Sequence, residues 1–270
     1  MDDLYGAISF VMSADANQCY MCEKPATSRE HVPPKCMFPE AKDLAGADLR
    51  QQLITVPSCD LHNSGKSKDD EFLMVSIAGV LGNNSIGYRH NLTKVTRAIR
   101  NSSGRLLGEV FLKRHHAAVK LPNNEFIRVI WGTPNYDRLV RSFEHVALGV
   151  YFHHFGQTFH GRLTVLMGNL HYADNNSKVF TRWIKHGVEI ELRGRDKLGS
   201  NPNVFHYQFT NPDTHGIFLL KMCFYEGVDI FVSFVPDGTV VPDDLVMKLI
   251  EGGIRTEIPL EDKVYEFNKR

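Results

Sequence analysis

The stretch that decides the fold runs from residue 19 to residue 72: CYMCEKPATSREHVPPKCMFPE (19–40), a polar link, then LITVPSCDLHNSGKSKDDEF (53–72). It holds two pairs with metal-ligand spacing, Cys19-x2-Cys22 and Cys59-x2-His62. A Cys-x2-Cys pair sits on one tight turn, so both thiolates can face one tetrahedral ion. Cys59 and His62 offer the same geometry from the start of a helix. Together the four residues make a closed Cys3His set of the structural zinc type. Apolar residues are sparse in this stretch, and a metal staple suits a segment that cannot build its own core. A second assignment stays open, with Cys36 completing the zinc set and His62 turned to another ion; otherwise Cys36 reads as a small buried residue.

Between the pairs stands Glu30-His31, followed by Val32-Pro33-Pro34. Each proline restricts the residue before it to extended backbone, which holds His31 at a strand end. Glu30 offers hard oxygen to a divalent ion. His31 can accept a proton from water near neutral pH. Asn63 follows a zinc ligand, so its position is fixed and its amide oxygen can serve as a second ligand to the same ion.

These residues together resemble the HNH endonucleases, the ββα-metal nucleases, over roughly the first quarter of the chain. The resemblance implies a β-hairpin and a helix gripping one catalytic Mg2+ or Mn2+, braced by structural Zn2+. It implies Cys19, Cys22, Cys59 and His62 as zinc ligands, Glu30 and Asn63 as ligands of the catalytic ion, and His31 as general base. Lys66, one turn beyond Asn63, is implied as a phosphate contact. The sequence departs from the family twice. Glu stands where Asp is usual. The Asn that orients the base has no counterpart: Arg50-Gln51-Gln52-Leu53-Ile54 occupies its place, with Gln51 or Gln52 the nearest substitute.

Composition sets the outer bounds. The 270 residues carry 31 Lys and Arg against 31 Asp and Glu, which argues against a general polyanion binder and requires any basic surface to be local. The chain has no apolar run of membrane-spanning length, and its acidic beginning, MDDLYGAISFVMSADANQ, differs from a secretory signal. Four of the five cysteines fall in the first 60 residues, a pattern of metal binding in a reducing compartment. A cytoplasmic location and no membrane association are expected.

The rest of the chain reads more coarsely. Residues 1–18 are expected to be a lead-in whose apolar patch, Ile8–Met12, packs on the zinc unit. A loop at Gly82-Asn83-Asn84-Ser85 suggests a boundary between a unit over 1–80 and a larger one over 81–270. Arg89–Asn101 reads as an amphipathic helix with Leu92, Val95 and Ile99 inward and Lys94, Arg97 and Arg100 in a basic row. From Arg89 to Arg128 nine basic residues face two acids, Glu109 and Glu125, and this row is the candidate nucleic-acid contact. Leu106–Leu112, Glu125–Trp131 and Val188–Leu192 read as strands. Thr133-Pro134 starts a helix that Gly156 ends. Val204–Thr210, Ile217–Tyr225 and Val228–Val235 read as a meander turning at Glu226-Gly227. Asp243–Glu251 reads as a short helix, with an exposed charged tail beyond it.

The expected fold class is therefore α+β: a zinc-braced ββα-metal unit, then a domain with an antiparallel sheet and helices. The expected function is hydrolysis of nucleic-acid phosphodiesters, with DNA the favoured substrate and a homodimer allowed for. The alternative is a zinc-stabilised nucleic-acid-binding module that does not cut. The second unit could sense a ligand and gate the nuclease, as in prokaryotic defence systems.

Overall fold

The computed structural model describes residues 17–64, 67–120, 122, 124–170, 174–240, 243–260 and 263–269. The expected patch at Ile8–Met12 and the expected phosphate contact Lys66 lie outside the described residues. The architecture mixes helices with antiparallel sheets, as an α+β fold requires.

Strand β1 (Ser28–His31) pairs antiparallel with β2 (Thr55–Ser58), Ser28 opposite Ser58 and His31 opposite Thr55. Helix α1 (Asp60–Ser64) follows β2 directly, and α2 (Ser67–Ala78) comes next. Helices α3 (Ser85–His90) and α4 (Thr96–Asn101) are joined by a π turn at Asn91–Val95. Helix α5 (Arg105–Val110) leads into a ribbon of β3 (Phe111–Lys120) and β4 (Phe126–Pro134). Beyond it lie α6 (Tyr136–Phe155), β5 (Gly161–Met167), α7 (Asn175–Glu191), and strands β6 (Leu198–Asn201), β7 (Phe205–Phe209), β8 (Phe218–Phe224) and β9 (Val228–Pro236). These strands form one antiparallel sheet in the order β5-β9-β8-β7-β6. Helix α8 (Asp243–Glu251) and a hairpin of β10 (Thr256–Leu260) and β11 (Lys263–Phe267) complete the described chain.

Helix α6 is the pivot. Leu139, Phe143, Val146, Ala147 and Val150 recur at helical spacing and are buried. Gly156 ends the helix at φ 70°, a left-handed position that glycine tolerates best. The helix packs against the sheet through β5 and β9 and against the other region through β2 and α2. Gly149 makes the second contact close: a Cβ there would stand 2.5 Å from a Val32 methyl. One continuous cluster of buried residues runs from Cys19 to Phe234, across the boundary expected near residue 80. Tyr225, buried in the β8–β9 turn, donates its hydroxyl hydrogen to the Met37 carbonyl.

Several expectations are corrected. Residues 105–110 are helical, not strand: Gly104 caps the start of α5 in a left-handed conformation, the Ser102 hydroxyl accepts the Leu106 N–H, and Leu106 and Val110, four apart, are both buried. The strand expected at Val188–Leu192 is the end of α7. Its alternating Val188, Ile190 and Leu192 looked extended, yet Val188 and Leu192 are buried at helical spacing beside Phe231 while Ile190 is exposed. Pro134 ends β4, and α6 starts two residues later. In the Arg89–Asn101 helix the π turn inserts one residue, so Val95 is fully buried and Leu92 is 73% exposed. The β8–β9 turn includes the expected Glu226-Gly227 and is one residue longer, beginning at Tyr225, with Tyr225 and Glu226 both left-handed. Gly227 serves close approach: a Cβ would meet the Gly82 and Asn83 backbone at 2.6 Å. The charged tail is largely exposed, as expected, and it is ordered as the β10–β11 hairpin.

Candidate metal centre and the adjoining hairpin

Cys19, Cys22, Cys59 and His62 come together, with all four ligand atoms within 4.8 Å of one another. The His62 Nδ1 lies 3.3 Å from Cys19 Sγ, 3.6 Å from Cys22 Sγ and 3.4 Å from Cys59 Sγ, and Cys22 Sγ is 3.9 Å from Cys59 Sγ. Zinc–ligand bonds of about 2.0–2.3 Å at a tetrahedral centre give edges of about 3.5–3.8 Å. The donor set and its spacing thus fit a zinc ion. Local backbone bonds shape both pairs. Cys19 N–H donates to Lys24 O and Cys22 N–H to Cys19 O, while the N–H groups of His62 and Asn63 both donate to Cys59 O. Cys36 is elsewhere: its thiol donates to Asp70 O, and burial pushes its pKa up to about 12. The assignment with Cys36 as a zinc ligand therefore does not hold.

The Cys3His set lies at the start of α1, beside the hairpin. Asn63 donates its side-chain N–H to Ser28 Oγ at 2.7 Å, which leaves its Oδ1 as the atom able to bind a cation. Successive strand residues point to opposite faces. Ser28 and Glu30 therefore share the face that Asn63 meets. Glu30 is buried, 6% exposed, and both its carboxylate oxygens lie 3.4 Å from the Tyr20 hydroxyl. Burial raises the Tyr20 phenol above its ordinary range, so it stays a donor. Tyr20 was not singled out in the sequence; its place inside the Cys19–Cys22 turn is the signal that marks it.

His31 takes the other face of β1. Arg29, two residues before it, donates to the hydroxyl and carbonyl of Thr55, the residue paired with His31. The His31 ring makes no hydrogen bond among the described residues. Partial burial, helped by the charge of Lys35, lowers its pKa and favours the neutral base. Neither glutamine is hydrogen-bonded to His31 among the described residues. Gln51 donates to Asp48, and Gln52 turns in a left-handed conformation with its carbonyl bound by Ser200.

The basic row behaves differently from its reading in sequence. Lys94 lies 3.5 Å from Glu40, and Arg97 makes a two-pronged pair with Asp43 at 2.9 and 2.7 Å. Arg100 remains exposed. A cleft of about 390 Å³ beside this row is lined by both signs of charge, among them Glu40, Glu71, Lys94 and Arg105, and it lies away from Glu30 and His31. His154 packs among Phe155, Tyr207 and Phe209, where burial favours its neutral form.

Comparison with known proteins gives no match to a family model, to a curated protein or to a solved structure. Among the described residues no helix is long and apolar enough to cross a membrane.

Proposed function

We propose that the protein is a metal-dependent nuclease of the HNH type, hydrolysing phosphodiester bonds of nucleic acid. The observation that supports this most is the arrangement around β1. A helix anchored by the Cys3His cluster holds Asn63 against the strand face that carries Glu30, and His31 is the next residue. Glu30 and Asn63 offer hard oxygen atoms, the donor chemistry Mg2+ and Mn2+ prefer, and few protein ligands suffice when substrate phosphate supplies the rest. Such an ion, when bound, polarises the scissile phosphate and stabilises the leaving oxygen. Tyr20 orients the Glu30 carboxylate. Neutral His31 has both ring nitrogens open and takes the proton from the attacking water.

The test is nicking of supercoiled plasmid with Mg2+ or Mn2+, wild type against His31→Ala, with zinc content measured in both. Nicking by wild type and none by the variant, at equal zinc, is the expected result. No nicking by wild type with zinc bound would sink the reading.

One observation favours a second reading, a zinc-braced nucleic-acid-binding module without cleavage. His31 lies on the opposite strand face from Glu30, and neither Gln51 nor Gln52 orients it. Under that reading His31→Ala leaves nucleic-acid affinity unchanged and no divalent ion elicits nicking.

A further inference from the structure

The β3–β4 ribbon is long, exposed and basic. Its register runs from Phe111 opposite Pro134 to Lys120 opposite Phe126, with an irregularity between Phe111 and Lys113. Residues Leu112–His116 and Ala118–Lys120 are exposed, and Trp131 on β4 is 58% exposed. An isolated two-stranded ribbon is only marginally stable in water, so one of this length fits an element that works against a partner.

The cations decide the partner. On the Arg89–Asn101 helix, Lys94 and Arg97 are neutralised by Glu40 and Asp43. On the ribbon, Lys113, Arg114 and Lys120 form no ion pair among the described residues. Alternation puts Lys113, His115 and Trp131 on one face, where the His115 and Trp131 rings stack at 4.7 Å. It puts Arg114, His116 and Lys120 on the other. Cations on both faces suit an element enclosed between two phosphate walls better than one lying on a flat anionic surface.

We propose that the β3–β4 ribbon lies in the major groove of double-stranded DNA and holds the substrate through Lys113, Arg114 and Lys120. The inference rests on the reading of the site as acting on nucleic acid. The B-form major groove, about 12 Å wide, admits a two-stranded β-ribbon. The A-form groove of duplex RNA is too narrow for one. From Lys113 to Lys120 the strand spans about 24 Å, about seven base-pair steps. The base of the ribbon is tied to the metal-bearing region. Helix α5 packs on α2, and Arg138 joins Asp69 of α2 to Glu109 of α5 at 2.7 and 2.8 Å.

The experiment is fluorescence anisotropy with a labelled DNA duplex of about two helical turns, across a salt series and without divalent ions. The proteins are wild type, Lys113→Thr/Arg114→Thr/Lys120→Thr and the charge-conserving Lys113→Arg/Arg114→Lys/Lys120→Arg. The threonine variant is expected to bind at least about tenfold more weakly at about 0.1 M salt, with its log–log salt slope reduced by about 3. The charge-conserving variant keeps the wild-type slope. Zinc content and circular dichroism report on folding. Unchanged affinity and slope in the threonine variant would overturn the proposal. So would binding of duplex RNA as tightly as DNA, or no binding of duplex DNA by wild type.

Hydrolysis of bis(p-nitrophenyl) phosphate with Mn2+ reads the proposed catalytic site without the ribbon. Hydrolysis that depends on His31, with DNA binding indifferent to the ribbon, would sink the ribbon and keep the nuclease. Ribbon-dependent binding with no hydrolysis would do the reverse.

Discussion

The region from Cys19 to Asn63 and the sheet from β5 to β9 are held by different means. In the first, short strands of four residues are fastened by a Cys3His cluster that draws together positions 43 apart in sequence. In the second, rings do the work. Phe234 and Phe218 stack at 5.0 Å, and Tyr151, Phe159 and Phe209 surround them. The first region carries a residue set that could hold a zinc ion by a few strong bonds at fixed geometry, and the second rests on many weak contacts over a large area. What the comparison teaches is where each is vulnerable. One substitution can undo the first, whereas the second loses stability in proportion to the surface removed.

The sharpest way to break this contrast is Cys59→Ser. Structural zinc contributes on the order of 10 kcal/mol of coordination free energy in small zinc units. Hydrogen exchange is expected to quicken across residues 19–63 while β7, β8 and β9 keep most of their protection; uniform acceleration across both regions would mean that the metal is not a local staple. Next in size is Phe234→Ala, expected to lower global stability by about 3–5 kcal/mol in denaturant unfolding with zinc content unchanged. A third substitution probes the seam between the regions. Gly149→Ala drives a Cβ onto Val32 and is expected to cost about 1–3 kcal/mol, with Val32→Ala restoring most of it in the double variant. Additive costs would show that the two residues do not share the seam.

The smallest effect concerns acid. The hydrogen bonds and charge of Arg97 hold the Asp43 carboxyl below its usual range, against the opposing effect of burial. A depressed carboxyl stabilises the fold above its unfolded value of about 3.9, and that stability is lost as pH falls through the folded value. Between about pH 4 and pH 2 the wild type is therefore expected to lose more stability than Asp43→Asn, measured by thermal unfolding at each pH. Equal losses would show that the pair contributes nothing.

How much of this could be read beforehand follows the same division. The Cys3His set able to hold a zinc ion was legible because each pair is local: two intervening residues fix its geometry. The sheet strands were legible where apolar residues alternate, as in Phe205, Tyr207 and Phe209. Helix α7 was misread because Val188, Ile190 and Leu192 satisfy a strand pattern, and only packing against Phe231 shows that two of the three face inward. The basic row could not be weighed from charge alone, since the partners of Lys94 and Arg97, Glu40 and Asp43, lie on a turn about fifty residues earlier in the chain. Tyr20 was missed because its partner, Glu30, is a contact across the fold and not a motif.

The bond from Tyr225 to Met37 spans 188 positions of chain. During synthesis Met37 leaves the ribosome first, and at about 5–20 residues per second its partner follows about 10–40 seconds later. Val32 waits similarly for Gly149, and the carbonyl of Gln52 for Ser200. Throughout that interval the Cys3His set is complete in sequence while the surfaces it packs on do not yet exist. The newborn hairpin therefore spends that interval without the surfaces that later cover it.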